Sequence, residues 1–169
     1  MAHGFGVIPW EYEAGLRSWV LPGVIGAMMT LLEPVVAQPL HAVFVVWGVF
    51  AVGSLVWIAA GYRLGHHTSG TVGGVLCACL MAFWCELVFF GPHTLTEVVG
   101  GHFLVGGLWA AIEAVNRPRP RTWLFSGLLL GTAVAFRIQL APAAAVVALW
   151  ACGVDQGRWL RVTAAGAGA

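Results

Sequence analysis

Leu40-His41-Ala42-Val43-Phe44-Val45-Val46-Trp47-Gly48-Val49-Phe50-Ala51-Val52-Gly53-Ser54-Leu55-Val56-Trp57-Ile58-Ala59-Ala60-Gly61-Tyr62 carries no charged side chain, follows Pro39 and ends at Arg63. About 20 apolar residues, each rising about 1.5 Å, cross the hydrocarbon of a bilayer as a helix. This stretch is that long, with only Gly48 and Gly53 as interruptions, so it predicts a transmembrane span over 40–62. Downstream, Arg63, His66, His67 and Thr68-Ser69-Gly70 form a polar turn, and a second span is expected over 71–91. Pro92-His93-Thr94-Leu95-Thr96-Glu97 makes a short loop before a third span over 98–115.

After the basic stretch Asn116-Arg117-Pro118-Arg119-Pro120-Arg121, the run 123–152 is too long for one span. It is too short for two straight ones with a loop. Arg137 and Gln139, with Pro142 behind them, divide it into two short tilted spans, 123–136 and 140–152, meeting at a polar turn. Asp155-Gln156-Gly157-Arg158 closes the last of these. Upstream, 21–32 is apolar but short, opens on Leu21-Pro22 and closes on Glu33-Pro34, which suits a helix lying in the interface. The expected fold is all-α: a polytopic transmembrane helical bundle of about five spans plus that interfacial helix. It forms one membrane domain over 1–169, with a non-cytoplasmic loop and interfacial helix in 1–39 and the spans in 40–152. Residues 153–169 are a cytoplasmic loop and the start of a truncated span.

Composition agrees. The 169 residues are 60% hydrophobic and 9% charged, where a soluble domain carries about 25% charged residues. A net charge of +1 argues against nucleic acid as a partner. Cys77, Cys79, Cys85 and Cys152 all lie in apolar runs and read as buried small hydrophobes. His41, His66 and His67 lie in or beside turns without ligand geometry, so no metal site is expected. Gly127-x-x-x-Gly131, with Gly100-Gly101 and Gly106-Gly107, should let helices approach closely.

Alternating the loops puts Arg63, Arg117, Arg119, Arg121, Arg158 and Arg161 on one side and Arg17 and Arg137 on the other. The arginine-rich side should be cytoplasmic. Three polar clusters then share the opposite face: Glu11, Glu13 and Arg17; His93, Thr94, Thr96 and Glu97; Arg137 and Gln139. Guanidinium forks match phosphate oxygens and stay charged in a partly dry site. A neighbouring carboxylate could take a proton from a hydroxyl. Arg137 is the strongest signal, because a lone arginine between apolar runs needs a partner or water.

Each cluster also has a plain reading. Glu13 and Arg17, like Glu113 and Arg117, stand at i, i+4 as helix pairs. Thr94-x-x-Glu97 matches a capping box for the third span. Glu86 could reach a cavity or bond to a neighbouring helix, and His102 suits a packed, hydrogen-bonded histidine.

Gly4-Phe5-Gly6-Val7-Ile8-Pro9-Trp10-Glu11-Tyr12, then Gly15-Leu16-Arg17-Ser18-Trp19 and Pro22-Gly23, resembles the signature of the membrane-embedded GT-C glycosyltransferases. The nearest branch is the lipid-phosphate-mannose-dependent mannosyltransferases of glycolipid-anchor and N-glycan assembly, with their bacterial relatives. Thr94-Leu95-Thr96-Glu97 is similar to a luminal loop of that family, with His93 where arginine is usual. Phe136-Arg137-Ile138-Gln139 is similar to its Phe-Arg-x-Gln turn.

The resemblance implies inverting transfer of a sugar, mannose in that branch, from a polyprenyl- or dolichyl-phosphate donor. The acceptor is a glycolipid or glycan on the non-cytoplasmic face. Substrate would be held by Trp10, Glu11, Arg17, Ser18, His93, Thr94, Glu97, Arg137 and Gln139, with Arg17 and Arg137 on the phosphate and Glu11 on the acceptor side. No cofactor is implied, since the lipid-linked sugar is itself a substrate. The setting is the bilayer, as a multi-pass protein of a bacterial cytoplasmic membrane or of the endoplasmic reticulum in a eukaryote.

The family's catalytic carboxylate belongs to an Asp-Glu pair ahead of the Trp-Glu motif, whereas the one aspartate here is Asp155. That base is therefore expected upstream of Met1, and these 169 residues are expected to be a fragment that is inactive alone. Two other classes stand beside this reading. A small transporter would use Glu86, His102 and Arg137, but internal repeats are not evident. A non-catalytic scaffold leaves the Trp-Glu and Arg-Ser-Trp cluster unexplained.

Overall fold

The structure is a computed structural model and describes residues 18–36 and 38–153. Its elements are α1 (Val20–Leu32), α2 (Pro39–Phe83), α3 (Cys85–Phe90), α4 (Thr96–Asn116) and α5 (Pro120–Phe136). A further helix, α6 (Ile138–Gly153), opens with the tight 3-10 turn Ile138–Leu140. No strand occurs among the described residues.

The first two expected spans lie in α2, which turns back on itself at Ser69 (φ −135°, ψ 19°) and Gly70 (φ 67°, ψ −161°). Gly70 takes a left-handed conformation that a side chain would strain. The arms 39–68 and 71–83 then run antiparallel with glycines between them. A Cβ on Gly61 would sit 2.9 Å from Met81 Cγ, one on Gly65 2.8 Å from Cys77 Sγ, and one on Gly74 3.0 Å from the Tyr62 carbonyl.

The second expected span is not continuous. The chain breaks at Trp84 (ψ 110°), whose indole Nε1 donates to Glu86 Oε2 at 3.2 Å. Glu86 therefore serves the first turn of α3, where the helix dipole favours a carboxylate. It does not reach across to another helix.

The turns at the opposite end follow from proline. Residues before proline avoid helical geometry, and Arg117 (ψ 83°) and Arg119 (ψ 134°) are both extended ahead of Pro118 and Pro120. Pro120 then starts α5, where its missing N–H is harmless.

The α4–α5 pair is the most extensive packing in the molecule. Gly107 meets Leu130, and Ser126 Oγ donates to the Gly107 carbonyl at 2.9 Å across the gap. Gly100 receives Leu140, Gly101 turns the other way onto Trp57 of α2, and Gly106 lies between Leu129 of α5 and Val56 of α2.

The interior is thus built of small residues, while Leu76, Leu80, Leu124, Phe125, Leu128 and Leu149 point outward. That inversion suits a bundle solvated by lipid, where close backbone approach substitutes for hydrophobic burial. Among the described residues two helices, α2 and α4, are long and apolar enough to cross a membrane. The outgoing arm of α2 alone, at about 1.5 Å per residue, exceeds the hydrocarbon thickness of about 30 Å.

Three expectations are corrected here. Among the described residues nothing comes within 4 Å of a Cβ on Gly127 or Gly131, so there their face of α5 makes no helix contact. Cys79, Cys85 and Cys152 are exposed on the apolar exterior and Cys77 is half-buried, because the interior positions are taken by glycine and alanine. His102 is buried against Trp57 (ring centroids 6.3 Å apart), yet its Nε2 has no hydrogen-bond partner among the described residues.

Helix α1 joins the end of the bundle where α2 begins. Leu21 packs with Val46, Phe50, Val99 and Phe136, and Ile25, Met28 and Met29 extend that contact along α1. With 13 residues it is too short to span.

The glycine contacts yield a paired test. Gly107→Ala places its Cβ 2.7 Å from Leu130 Cδ2 and 3.2 Å from a backbone nitrogen, and should destabilise by about 1–3 kcal/mol. Gly127→Ala meets nothing and should be neutral or stabilising by about 0.5–1 kcal/mol through helix propensity. Thermal unfolding of both variants in detergent checks the contrast. Equal effects would contradict the packing described.

Candidate functional site

The break at Arg137 determines where the site forms. Pro142 stands in the first α-helical turn of α6, where its missing N–H is harmless. Helix α5 ends at Phe136, which is buried and stacked on Phe103 (centroids 5.3 Å apart, planes 13°). Arg137 follows in extended conformation (φ −149°, ψ 111°) before the chain re-enters helix. Its side chain therefore leaves the bundle at a break between helices, beside the first turn of α4.

The partners are there. Arg137 Nε donates to Gln139 Oε1 at 2.9 Å, and Nη1 reaches Thr96 Oγ1 at 3.5 Å and pairs with Glu97. Thr96 Oγ1 in turn donates to the second carboxylate oxygen of Glu97 at 3.0 Å. Glu97 lies in the first turn of α4, where the dipole favours its charge. The Arg137 side chain is 27% exposed and that of Glu97 is 50%. A pair this wet contributes about 0.2–1 kcal/mol. Its consequence is geometric: it holds a guanidinium at a fixed place without consuming all of its donors.

The capping-box reading of Thr94-x-x-Glu97 fails. The helix starts from Leu95 with no side-chain cap, and Glu97 turns to Arg137 instead. Glu113 likewise faces Arg63 on α2 at 3.8 Å, across helices, where an i, i+4 partner in Arg117 was expected.

Beside the ion pair lies a cavity of about 470 Å³. Leu21, Pro22, Ile25 and Gly26 of α1 form one wall, and Thr94, Leu95, Thr96 and Glu97 the other. One side is hydrocarbon, and the other carries hydroxyls and a carboxylate at its lip. Such a cleft fits an amphipathic molecule with an anionic or hydroxylated head.

Of the expected binding residues, Thr94, Glu97, Arg137 and Gln139 come together here. Ser18 joins them from α1's leading end: its Oγ donates to the Ala135 carbonyl at 2.7 Å and accepts from the Val20 N–H at 3.2 Å. It fastens the chain rather than offering a free hydroxyl. His93 stands apart, its Nδ1 2.6 Å from the Phe89 carbonyl and its ring stacked on Phe89 and near Trp47. Trp10, Glu11 and Arg17, with Glu13, lie outside the described residues.

Thr96 belonged to the loop cluster but not to the expected binding set. It is buried and bridges Arg137 to Glu97. The repeated hydroxyl in Thr94-Leu95-Thr96-Glu97 was the signal for it. That α1 would wall a cavity had no signal in its composition.

Substituting the pair tests its energetics. Glu97→Gln and Arg137→Gln should each lose about 1 kcal/mol or less, and the double variant no more than either alone. A double-mutant cycle of thermal unfolding in detergent measures this. Additive losses would show that the two groups do not interact.

No curated protein and no solved structure gives a match to the chain. A family model described as dolichyl-phosphate-mannose-protein mannosyltransferase matches residues 22–168, covering every helix from α1 onward. That family is one of mannosyltransferase-type glycosyltransferases working from a lipid bilayer. The chain belongs to it.

Proposed function

We propose that this chain binds a polyprenyl- or dolichyl-phosphate mannose in the cleft between α1 and the 94–97 loop. The mannose is then passed to a hydroxyl of a glycolipid or glycan acceptor. The observation that carries this reading is Arg137, bonded to Thr96 and Glu97, which line the cleft, and to Gln139. The isoprenoid lies along Leu21 and Ile25, and the phosphate comes to the guanidinium.

The reaction breaks the bond from the anomeric carbon to the phosphate oxygen. The acceptor oxygen forms a new bond to that carbon with inversion, and its proton passes to a carboxylate base that the family resemblance puts in an Asp-Glu pair ahead of Trp10-Glu11. Polyprenyl phosphate departs with its charge increased. Arg137 is suited to that developing charge, since a preorganised cation at a leaving group is the largest single lever such a site has. Glu97 is already engaged by Arg137 and Thr96, so its role is to position them rather than to be the base. The donor's phosphodiester, with two non-bridging oxygens, meets the donors of the Arg137 fork that Gln139 and Glu97 leave open. The cleft lies at the end opposite Arg63, Arg117, Arg119 and Arg121, and the positive-inside rule makes that the non-cytoplasmic face.

Donor binding is the direct test. Titrating the purified chain in nanodiscs with dolichyl-phosphate mannose should give saturable binding. Arg137→Gln should weaken it by about 10- to 100-fold, the value of a charge-assisted contact. Arg137→Lys should retain part of it. Equal affinities for wild type and Arg137→Gln would defeat the assignment, and preference for dolichyl-phosphate glucose would replace the sugar.

A further inference from the structure

At the opposite end of the bundle, the outgoing arm of α2 and the last turns of α4 enclose two adjoining cavities. The smaller, about 100 Å³, is lined by Arg63, His66, Trp109 and Glu113 among others. The larger, about 420 Å³, is almost wholly apolar, with Leu108 of α4 and Trp150 of α6 on its walls. They share Leu64, His67, Ile112 and Asn116, so one continuous groove runs from a cationic recess into a hydrocarbon slot. Neither cavity touches the cleft beside Arg137.

The charge around it is one-sided. Arg63 lines the recess, Arg117, Arg119 and Arg121 follow its lining residue Asn116 in the turn to α5, and Glu113 is the one carboxylate in the lining among the described residues. The Glu113 contact is long and wet: Arg63 Nη1 lies 3.8 Å away, with side chains 61% and 40% exposed. The guanidinium also lies over the Trp109 ring, 5.9 Å from its centroid, which holds it at the mouth. Arg63 is thereby placed at the recess with its donors largely uncommitted.

We infer that this groove binds an anionic phospholipid, its phosphate headgroup held by Arg63 with Arg117 and its acyl chain in the slot against Trp150. A cationic recess alone would take any small anion. A slot alone would take any lipid. Their continuity selects a molecule that is both, and basic pockets between membrane helices on the arginine-rich side meet a leaflet that supplies it. The site is a structural or regulatory lipid site, separate from donor binding.

Thermal unfolding of the full chain in phosphatidylcholine nanodiscs, titrated with phosphatidylglycerol, tests this. The midpoint should rise saturably with phosphatidylglycerol. Arg63→Gln and Arg117→Gln should each raise the half-saturating fraction by about fivefold, the effect of one arginine near an anionic surface. Arg117 has no ion pair among the described residues, so its variant remains informative if Arg63→Gln folds poorly. Trp150→Ala should weaken the effect through the slot, and Arg137→Gln at the far end should leave it unchanged. Half-saturation that is the same in wild type and Arg117→Gln would overturn the inference. So would inorganic phosphate reproducing the full midpoint rise, since that would reduce the groove to a site for a simple anion.

Discussion

A guanidinium between two apolar helices must find a partner or water, and most of the site end of this bundle follows from that requirement. Arg137 stands in extended conformation at the break between α5 and α6. Glu97 and Thr96 must then stand where they can meet it, which fixes the start of α4 against the end of α5. Beneath them Phe136 stacks on Phe103 and closes the floor with Leu21, Val46, Phe50 and Val99. The ion pair itself contributes little stability. The packing under it makes the geometry permanent.

The α4–α5 contact gives that geometry its stiffness. Gly100 and Gly107 let the two backbones approach until Leu140 and Leu130 fill the notches, and Ser126 bonds across. Gly100 lies one turn from Thr96 and Glu97, and Leu140 three residues from Arg137. The same close approach that joins the helices therefore sets the distance between the two halves of the polar cluster. A fold that replaces bulky core residues by glycine gains a precise register and loses the hydrophobic driving force, which in lipid is absent anyway.

Much of this was legible from residues alone. The uncharged runs, the Ser69-Gly70 turn and the two prolines around Arg119 placed the helices and their ends. Arg137 and Pro142 together announced a break inside 123–152. What stayed hidden depends on contacts between distant segments. Glu97 could cap its own helix or cross to Arg137 at similar energy, and only the position of α5 decides. Gly127-x-x-x-Gly131 carries the same spacing as a packing motif but faces outward, because Gly100 and Gly107 already present the complementary surface on α4. The break at Trp84 has no proline or glycine to mark it. Nor could the sequence show that Ser18 is tied to Ala135, which brings the leading end of α1 beside the arginine.

In the proposed arrangement a lipid-phosphate sugar lies against α1 and Arg137, at the end of the bundle away from Arg63. A dolichyl-phosphate mannose analogue with a photoactivatable group beside its phosphate would report that contact directly. After irradiation in nanodiscs and peptide mapping by mass spectrometry, the label should fall on 18–26, 94–97 or 137–139 and be displaced by unlabelled donor. Displaceable labelling confined to the groove around Arg63, Trp109 and Asn116 would contradict the account.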